Sequence, residues 1–148
     1  MPDAAIVILN YNGRALLPAC LAAAQAKTVP AAIVVADNGS TDGSLDLLRT
    51  EFPNVTVLDL GRNWGFAAGY NRALAQVDAP WLVLLNNDAE LAPDWLERLL
   101  GFAAEHPQAA ILGGKLRLAQ PGPPVLQSAG GNFTTAGTSC WIGWGAPE

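Results

Sequence analysis

Two carboxylates stand where an apolar run gives way to a polar loop. Asp37 follows Ile33-Val34-Val35-Ala36, and Asp88 follows Trp81-Leu82-Val83-Leu84-Leu85 through Asn86-Asn87. An ionised carboxylate at the edge of a core is costly unless it is paired or metal-bound. Two such groups facing one pocket would repel, and a divalent cation removes that penalty. Oxygen-only ligands select magnesium or manganese over zinc. Each segment also has a plainer reading. Asn86-Asn87-Asp88 could form an Asx turn leading to Pro93. Asp37-Asn38-Gly39-Ser40-Thr41-Asp42-Gly43 could be a helix-entry turn capped by Ser40, Thr41 or Asp42.

Other polar loops offer complementary groups. Asn10-Tyr11-Asn12 supplies amides and an aromatic face, suited to a nucleobase or ribose. The run Arg62-Asn63-Trp64-Gly65-Phe66-Ala67-Ala68-Gly69-Tyr70-Asn71-Arg72 places glycines at a helix start, where amides favour anions. Asn63 and Asn71 are candidate ligand-contacting amides. Arg62 is a phosphate or base contact, or else a solvated surface arginine. No G-x-G-x-x-G follows the first apolar run, which argues against a dinucleotide fold. His106, the only histidine, precedes Pro107 at a helix end and takes no catalytic role. Cys20 and Cys140 have neither metal-ligand nor disulfide-framework spacing and read as structural residues.

These loops must be held by an alternation of strands and helices. Strands are expected at Ile6–Leu9, Ile33–Ala36, Val55–Leu60 and Trp81–Leu85, with short ones at Ala109–Leu112 and Lys115–Leu118. Leu17, Cys20, Leu21 and Ala24 recur at helical spacing. A short helix carrying Leu45, Leu47 and Leu48 is closed by Pro53, and another runs from Phe66 to Ala75. Pro93 marks the first residue of a helix whose stripe is Leu96, Leu99, Leu100 and Ala103 and which stops before Pro107. Such alternation builds an α/β, doubly wound, mostly parallel sheet with helices on both faces. Its ligand sits outside the carboxyl ends of the strands, so the polar loops should converge there.

Bulk properties narrow the partners. The 148 residues are 51% hydrophobic and 14% charged, with mean hydropathy +0.23, which excludes disorder and suits strands buried on both faces. Net charge is −5, and eight scattered Lys and Arg exclude a nucleic-acid grip. No apolar run is long enough to span a bilayer, and the N-terminus lacks a signal peptide's basic start. The expected location is therefore cytoplasmic.

Together Ile8-Leu9-Asn10-Tyr11-Asn12, Val34 through Gly43, Asn63 through Asn71 and Leu84-Leu85-Asn86-Asn87-Asp88 resemble the family 2 glycosyltransferases of the GT-A fold. The likeness is to the bacterial branch of rhamnosyl- and galactofuranosyltransferases. It implies a Rossmann-like GT-A domain that binds a nucleotide diphosphate-sugar, a UDP- or dTDP-sugar, with Mn²⁺ or Mg²⁺. Asn10, Tyr11, Asn12, Asp37, Asn38, Arg62, Asn63, Gly65, Asn71, Asn86 and Asn87 would contact this donor. Asn86-Asn87-Asp88 would occupy the family's D-x-D position, with Asp88 as the metal carboxylate. Asn86 stands where the family often has Asp.

The reaction implied is inverting transfer to a glycan or lipid-linked acceptor in cell-envelope polysaccharide synthesis. For a lipid-linked acceptor its place would be the inner face of the membrane. The family's general base lies in a downstream acidic segment. After Asp94 this chain has only Glu97, Glu105 and Glu148, so its catalytic base is unassigned. The expected organisation is a donor-binding domain over 1–118 and the start of an acceptor-side region over 119–148, C-terminally incomplete. The terminal Trp141-Ile142-Gly143-Trp144 would pack on further sequence or mediate self-association. Two alternatives remain open: a nucleotide-sugar-binding module without catalysis, and a sugar-nucleotide pyrophosphorylase-like enzyme.

Overall fold

The computed structural model describes residues 3–133 and 139–147, without the side chains of 131–133 and 139–141. Expectations for Cys140, Trp141 and Glu148 therefore lie outside the described residues. The chain forms two compact units, Met1–Glu97 and Arg98–Glu148.

The first unit carries a parallel four-stranded sheet. Its strands are β1 (Ala4–Asn10), β2 (Ala32–Asp37), β3 (Thr56–Asp59) and β4 (Trp81–Asn86), in the order β3-β2-β1-β4. The connecting helices are α1 (Leu17–Gln25), α2 (Ser44–Glu51) and α3 (Phe66–Leu74). From β1 to β3 the chain steps one way along the sheet, and from β3 to β4 it steps back across β2 and β1. Right-handed crossovers then put α1 and α2 on one face and α3 on the other.

The alternation of side chains agrees with this. Val7, Val34 and Ala36 pack with Tyr70 and Ala73 of α3 in one cluster. Ile6 and Ile8 point to the opposite face, and Leu17, Cys20, Leu21 and Ala24 of α1 are all buried. Burying fully enclosed large chains such as Ile6, Ile8, Leu17 and Leu21 contributes about 1.5 to 3 kcal/mol each.

Buried strands on both faces hold only for β1 and β2. β4 is an edge strand whose Leu82 and Leu84 are exposed, Leu84 at 54%. Both share the α3 face with Val7 through the register Val7↔Leu84, and α3 lies over β1 and β2 rather than β4. β3 is the other edge and is only half-buried. A fourth helix, α4 (Trp95–Glu105), starts two residues after Pro93, so the proline ends the preceding loop rather than opening the helix. In the expected stripe Leu96 and Ala103 are buried, while Leu99 and Leu100 are half-buried.

The second unit has β5 (Leu116–Arg117) antiparallel to β6 (Leu126–Ser128), and β7 (Gly131–Phe133) antiparallel to β8 (Ser139–Trp141). The strand expected at 109–112 is not formed. Ala109 closes a turn onto the carbonyl of His106, and Ile111 is 91% exposed with no neighbouring strand to bond it. The unit boundary falls inside α4, earlier than the 118/119 division drawn from composition. Trp144 and Ile142 are exposed.

Candidate active site

The strands' carboxyl ends gather the loops that the sequence singles out, in an order set by register. Asn10 of β1 lies opposite Asp37 of β2, and Leu9 lies opposite Asn86 of β4. Asn87, one residue further, therefore falls in the same row as Asn10 and Asp37. Hydrogen bonds run along that row. Asn10 Nδ2 donates to Asp37 Oδ2 at 3.0 Å, and Asn87 Nδ2 donates to Asn10 Oδ1 at 2.9 Å.

Asp37 is fully buried, and both its oxygens are engaged. Oδ1 accepts from the amides of Gly39 at 3.2 Å and Ser40 at 2.8 Å, while Oδ2 takes the Asn10 amide. Three donors offset the buried charge, so the cation invoked to separate two repelling carboxylates is not required. Two strand spacings also put Asp37 and Asp88 about 10 Å apart, far enough for weak repulsion. Asn10, equally buried, lies beneath the site and not on its surface.

Asn38 is likewise an internal brace. Its Nδ2 donates to Asn63 Oδ1 and to the Gly65 carbonyl, and its Oδ1 accepts from the Trp64 amide at 3.0 Å. This ties the loop after β2 to the one before α3. Gly39 is required at that contact: a Cβ there would meet the Arg62 backbone at 2.5 Å, and its φ is +81°. Gly65 serves by its positive φ at the cap of α3, with open space around it. Close approach occurs instead at Gly69, which packs on Leu9 and Asn38.

The β1 loop is zipped to the β2 loop in the same manner. The Asn12 amide donates to Ser40 Oγ, the Thr41 amide to Asn12 Oδ1, and the Arg14 amide to Asp42 Oδ2. Asp42 also receives the Ser44 amide and hydroxyl, an Asx turn that leads into α2, whose N-cap position is Gly43 without a side-chain cap; the helix-entry turn is formed, but Asp42 is not its N-cap. Burial works against the Asp42 charge, but hydrogen bonds from Ser44 and Arg14 outweigh it and hold the carboxyl below its ordinary value. Asn12 adopts φ +50°, which asparagine tolerates better than most residues.

What remains exposed is a set of polar and aromatic groups, some of them also engaged with their neighbours. Tyr11, Asn12, Arg62, Asn63, Asn71, Asn86 and Asp88 face solvent. The guanidinium carbons of Arg62 and Arg72 lie 3.7 and 3.5 Å from the Trp64 ring centroid. Two groups that close to one ring must take opposite faces, so the indole is sandwiched and Arg62 is pre-oriented. Arg72 and Trp64 escaped the sequence reading, since only the fold stacks them. His106 stacks on Phe102 and its amide closes the end of α4.

The end of β4 is held from both faces. Tyr70 of α3 donates to the Leu85 carbonyl at 2.9 Å, and Cys20 of α1 donates to that of Asn86 at 3.6 Å. Burial pushes the Tyr70 hydroxyl up to about 12. Burial, then the charges of Asp88 and Glu90, push the Cys20 thiol up to about 11. Beyond this clamp, Ala89 turns back onto the Asn86 carbonyl, and Thr28 donates to the Pro93 carbonyl at 3.0 Å. Asp88 itself is exposed and accepts no hydrogen bond among the described residues.

This donor set fits a hard divalent cation as a shared ligand. Asp88 and the amide oxygens of Asn86 and Asn87 are oxygen donors of the kind magnesium and manganese take. No cluster of three His, Cys, Asp or Glu able to enclose a metal exists among the described residues.

The parallel sheet with braced polar loops at its carboxyl ends is that of a GT-A domain, as in the solved glycosyltransferases it matches. The chain belongs to glycosyl transferase family 2, whose model matches residues 5–122. It is 32% identical over 136 residues to the N-acetylglucosaminyl-diphospho-decaprenol L-rhamnosyltransferase of Mycobacterium tuberculosis, covering 84% of this chain and 44% of the relative. A PGL/p-HBAD biosynthesis glycosyltransferase of Mycobacterium bovis is 30% identical, covering 76% and 46%. The chain thus spans less than half the length of these relatives.

Among solved structures, the mannosyltransferase PcManGT of Pyrobaculum calidifontis, in complex with GDP-Man and Mn²⁺, superposes with a TM-score of 0.65. It is 25% identical over 70% of this chain and 32% of its own. TarS 1-349 of S. aureus, at 22% identity over 71% of this chain and 33% of its own, matches in fold with a TM-score of 0.65.

Proposed function

We propose that this chain holds the sugar-nucleotide donor for an inverting family 2 glycosyl transfer, with a UDP- or dTDP-sugar bound across the carboxyl ends of β1, β2 and β4. The observation that carries the reading is Asp88: an exposed carboxylate with no hydrogen-bond partner among the described residues, on a clamped strand end, beside a braced polar loop. The nucleoside lies against Tyr11, Asn12 and the Asn63–Arg62 side. The diphosphate reaches the edge of β4, where Asp88 with Asn86 and Asn87 would hold Mn²⁺ or Mg²⁺. Such a cation, when bound, stabilises charge on the departing diphosphate. A solved relative that carries GDP-Man and Mn²⁺ supports the metal, and a relative acting on a diphospho-decaprenol-linked sugar supports a lipid-linked acceptor.

Asp37 is spent on its own turn and Asp88 on the cation, so neither serves as the base that deprotonates the acceptor. That base, worth roughly 10²- to 10⁴-fold in rate, belongs to residues outside this site. No helix among the described residues is long and apolar enough to cross a membrane. A lipid-linked acceptor would then be met at the inner membrane face, from the cytoplasm.

Calorimetric titration with UDP- and dTDP-sugars, with and without Mn²⁺, tests the reading. Wild type should bind, and more tightly with Mn²⁺. Asp88→Ala should keep the metal-free affinity and lose the metal-dependent part. Undiminished metal dependence in Asp88→Ala would remove Asp88 from the metal corner.

A further inference from the structure

We infer that Asn10 is a positioning residue through which the charge of Asp37 sets the orientation of the Asn87 amide, turning its carbonyl oxygen toward the cation. The inference rests on the reading of the site as a cation-assisted sugar-nucleotide pocket. It assigns Asn10 a task other than touching the donor.

The argument is one of donors and acceptors. A carboxylate can only accept, so the side of Asn10 that faces Asp37 Oδ2 at 3.0 Å must be its NH₂. The same NH₂ also reaches Ser40 Oγ at 3.2 Å. That leaves Asn10 Oδ1 pointing along the row to β4, where it can only accept. Asn87 must therefore present its own NH₂ at 2.9 Å. The oxygen of Asn87 is then the atom left for the site, one residue from Asp88. The orientation of two amides follows from one buried charge, with no choice left at either step.

Three features support the relay over an incidental contact. The row spans β2, β1 and β4 in register, so the three side chains are aligned by strand pairing and not by loop chance. Asn10 is fully buried, which keeps water from competing for either bond. Gly13 closes the Asn10–Asn87 pair from above: a Cβ there would lie 2.1 Å from Asn87 Nδ2 and 2.5 Å from Asn10 Oδ1. Its absence of a side chain leaves the room that the relay needs.

The chemistry supplied is a second oxygen ligand beside a single carboxylate. In a corner with Asn86 in place of an acid, an amide oxygen held in one orientation contributes to the cation without adding repulsive charge. An amide free to rotate would present NH₂ to the metal part of the time.

Two variants test this, read by titration of UDP with and without Mn²⁺ and by thermal melting. Gly13→Ala crowds the Asn87–Asn10 contact while leaving the backbone bonds to Asp37 in place, and Asn10→Ser removes the Asn87 acceptor. If wild type gains about tenfold in UDP affinity from Mn²⁺, a usual size for coupled sites, Gly13→Ala should gain less than about threefold. Its metal-free affinity should stay within about twofold of wild type, because the Asp37 turn is untouched. Asn10→Ser should lose the Mn²⁺ gain to the same extent and also weaken metal-free binding. A purely structural role would lower both affinities and the melting temperature in step. A wild-type Mn²⁺ gain in both variants overturns the inference, as it would in Asn10→Ser alone if Gly13→Ala does not fold. Absence of UDP binding by wild type instead overturns the reading of the site, and this inference with it.

Discussion

The two ends of the proposed donor site are built differently. At the nucleoside end, the loops after β1 and β2 and before α3 are cross-linked by side chains: Asp37, Asn38, Ser40, Asn12 and Asp42 all bond backbone amides. At the proposed metal end the backbone is clamped by Tyr70 and Cys20, but Asp88 accepts no hydrogen bond among the described residues. One end is braced before any ligand arrives. The other holds its carboxylate exposed, where the proposed cation and diphosphate would finish it. On the proposed reading, order and metal binding are separable here: buried Asp37 and Asn38 brace the loops, while Asp88, the proposed metal residue, makes no hydrogen bond among the described residues.

The largest effect that can break this contrast is Asp37→Ala. It strips the acceptor from three donors, and charged hydrogen bonds at about 1.5 to 3 kcal/mol each imply a cost of about 3 kcal/mol or more. A calorimetric melt should fall by roughly 6 to 12 °C. Nucleoside binding should weaken even without metal. By contrast, Asp88→Ala should shift stability by no more than about 0.5 kcal/mol while removing the metal-dependent affinity. Equal melting shifts in the two variants would abolish the distinction.

A smaller effect concerns acid. Asp42 titrates below its ordinary value of 3.8 in the folded chain. A depressed carboxyl contributes stability that is present above the unfolded value and lost as pH falls through the folded one. The acid limb of a stability profile should therefore steepen below about pH 4, and Asp42→Asn should flatten that limb. A limb unchanged by the substitution would show that the zip between the β1 and β2 loops is not held by charge. Smallest of all, Cys20 should resist alkylation at pH 8 in a Cys140→Ser background, since burial and nearby acids hold its thiol up to about 11. Rapid labelling without unfolding would mean that the clamp under β4 is open.

Much of this was legible in the residues. Apolar runs bounded by turn residues marked all four strands of the sheet, and helical spacing marked the buried face of α1. The four polar loops carried the family resemblance because their chemistry is local. The Asp42 turn into α2 belongs to the same class, as it involves neighbours two residues apart.

Other features depended on pairing over long separations. Asn10 meets Asp37 across 27 residues and Asn87 across 77, and only strand register decides that these three share a row. Shift the register by one and each side chain changes face. The exposure of Leu82 and Leu84 was hidden for the same reason: an apolar run looks alike in a central strand and in an edge strand. The sequence by itself determined the elements, the polar loops and their chemical types, because local patterns encode these. Tertiary structure alone decided which polar groups are spent on one another and which remain free for a ligand. Hydrogen bonds saturate, and their partners are chosen by where the strands lie side by side.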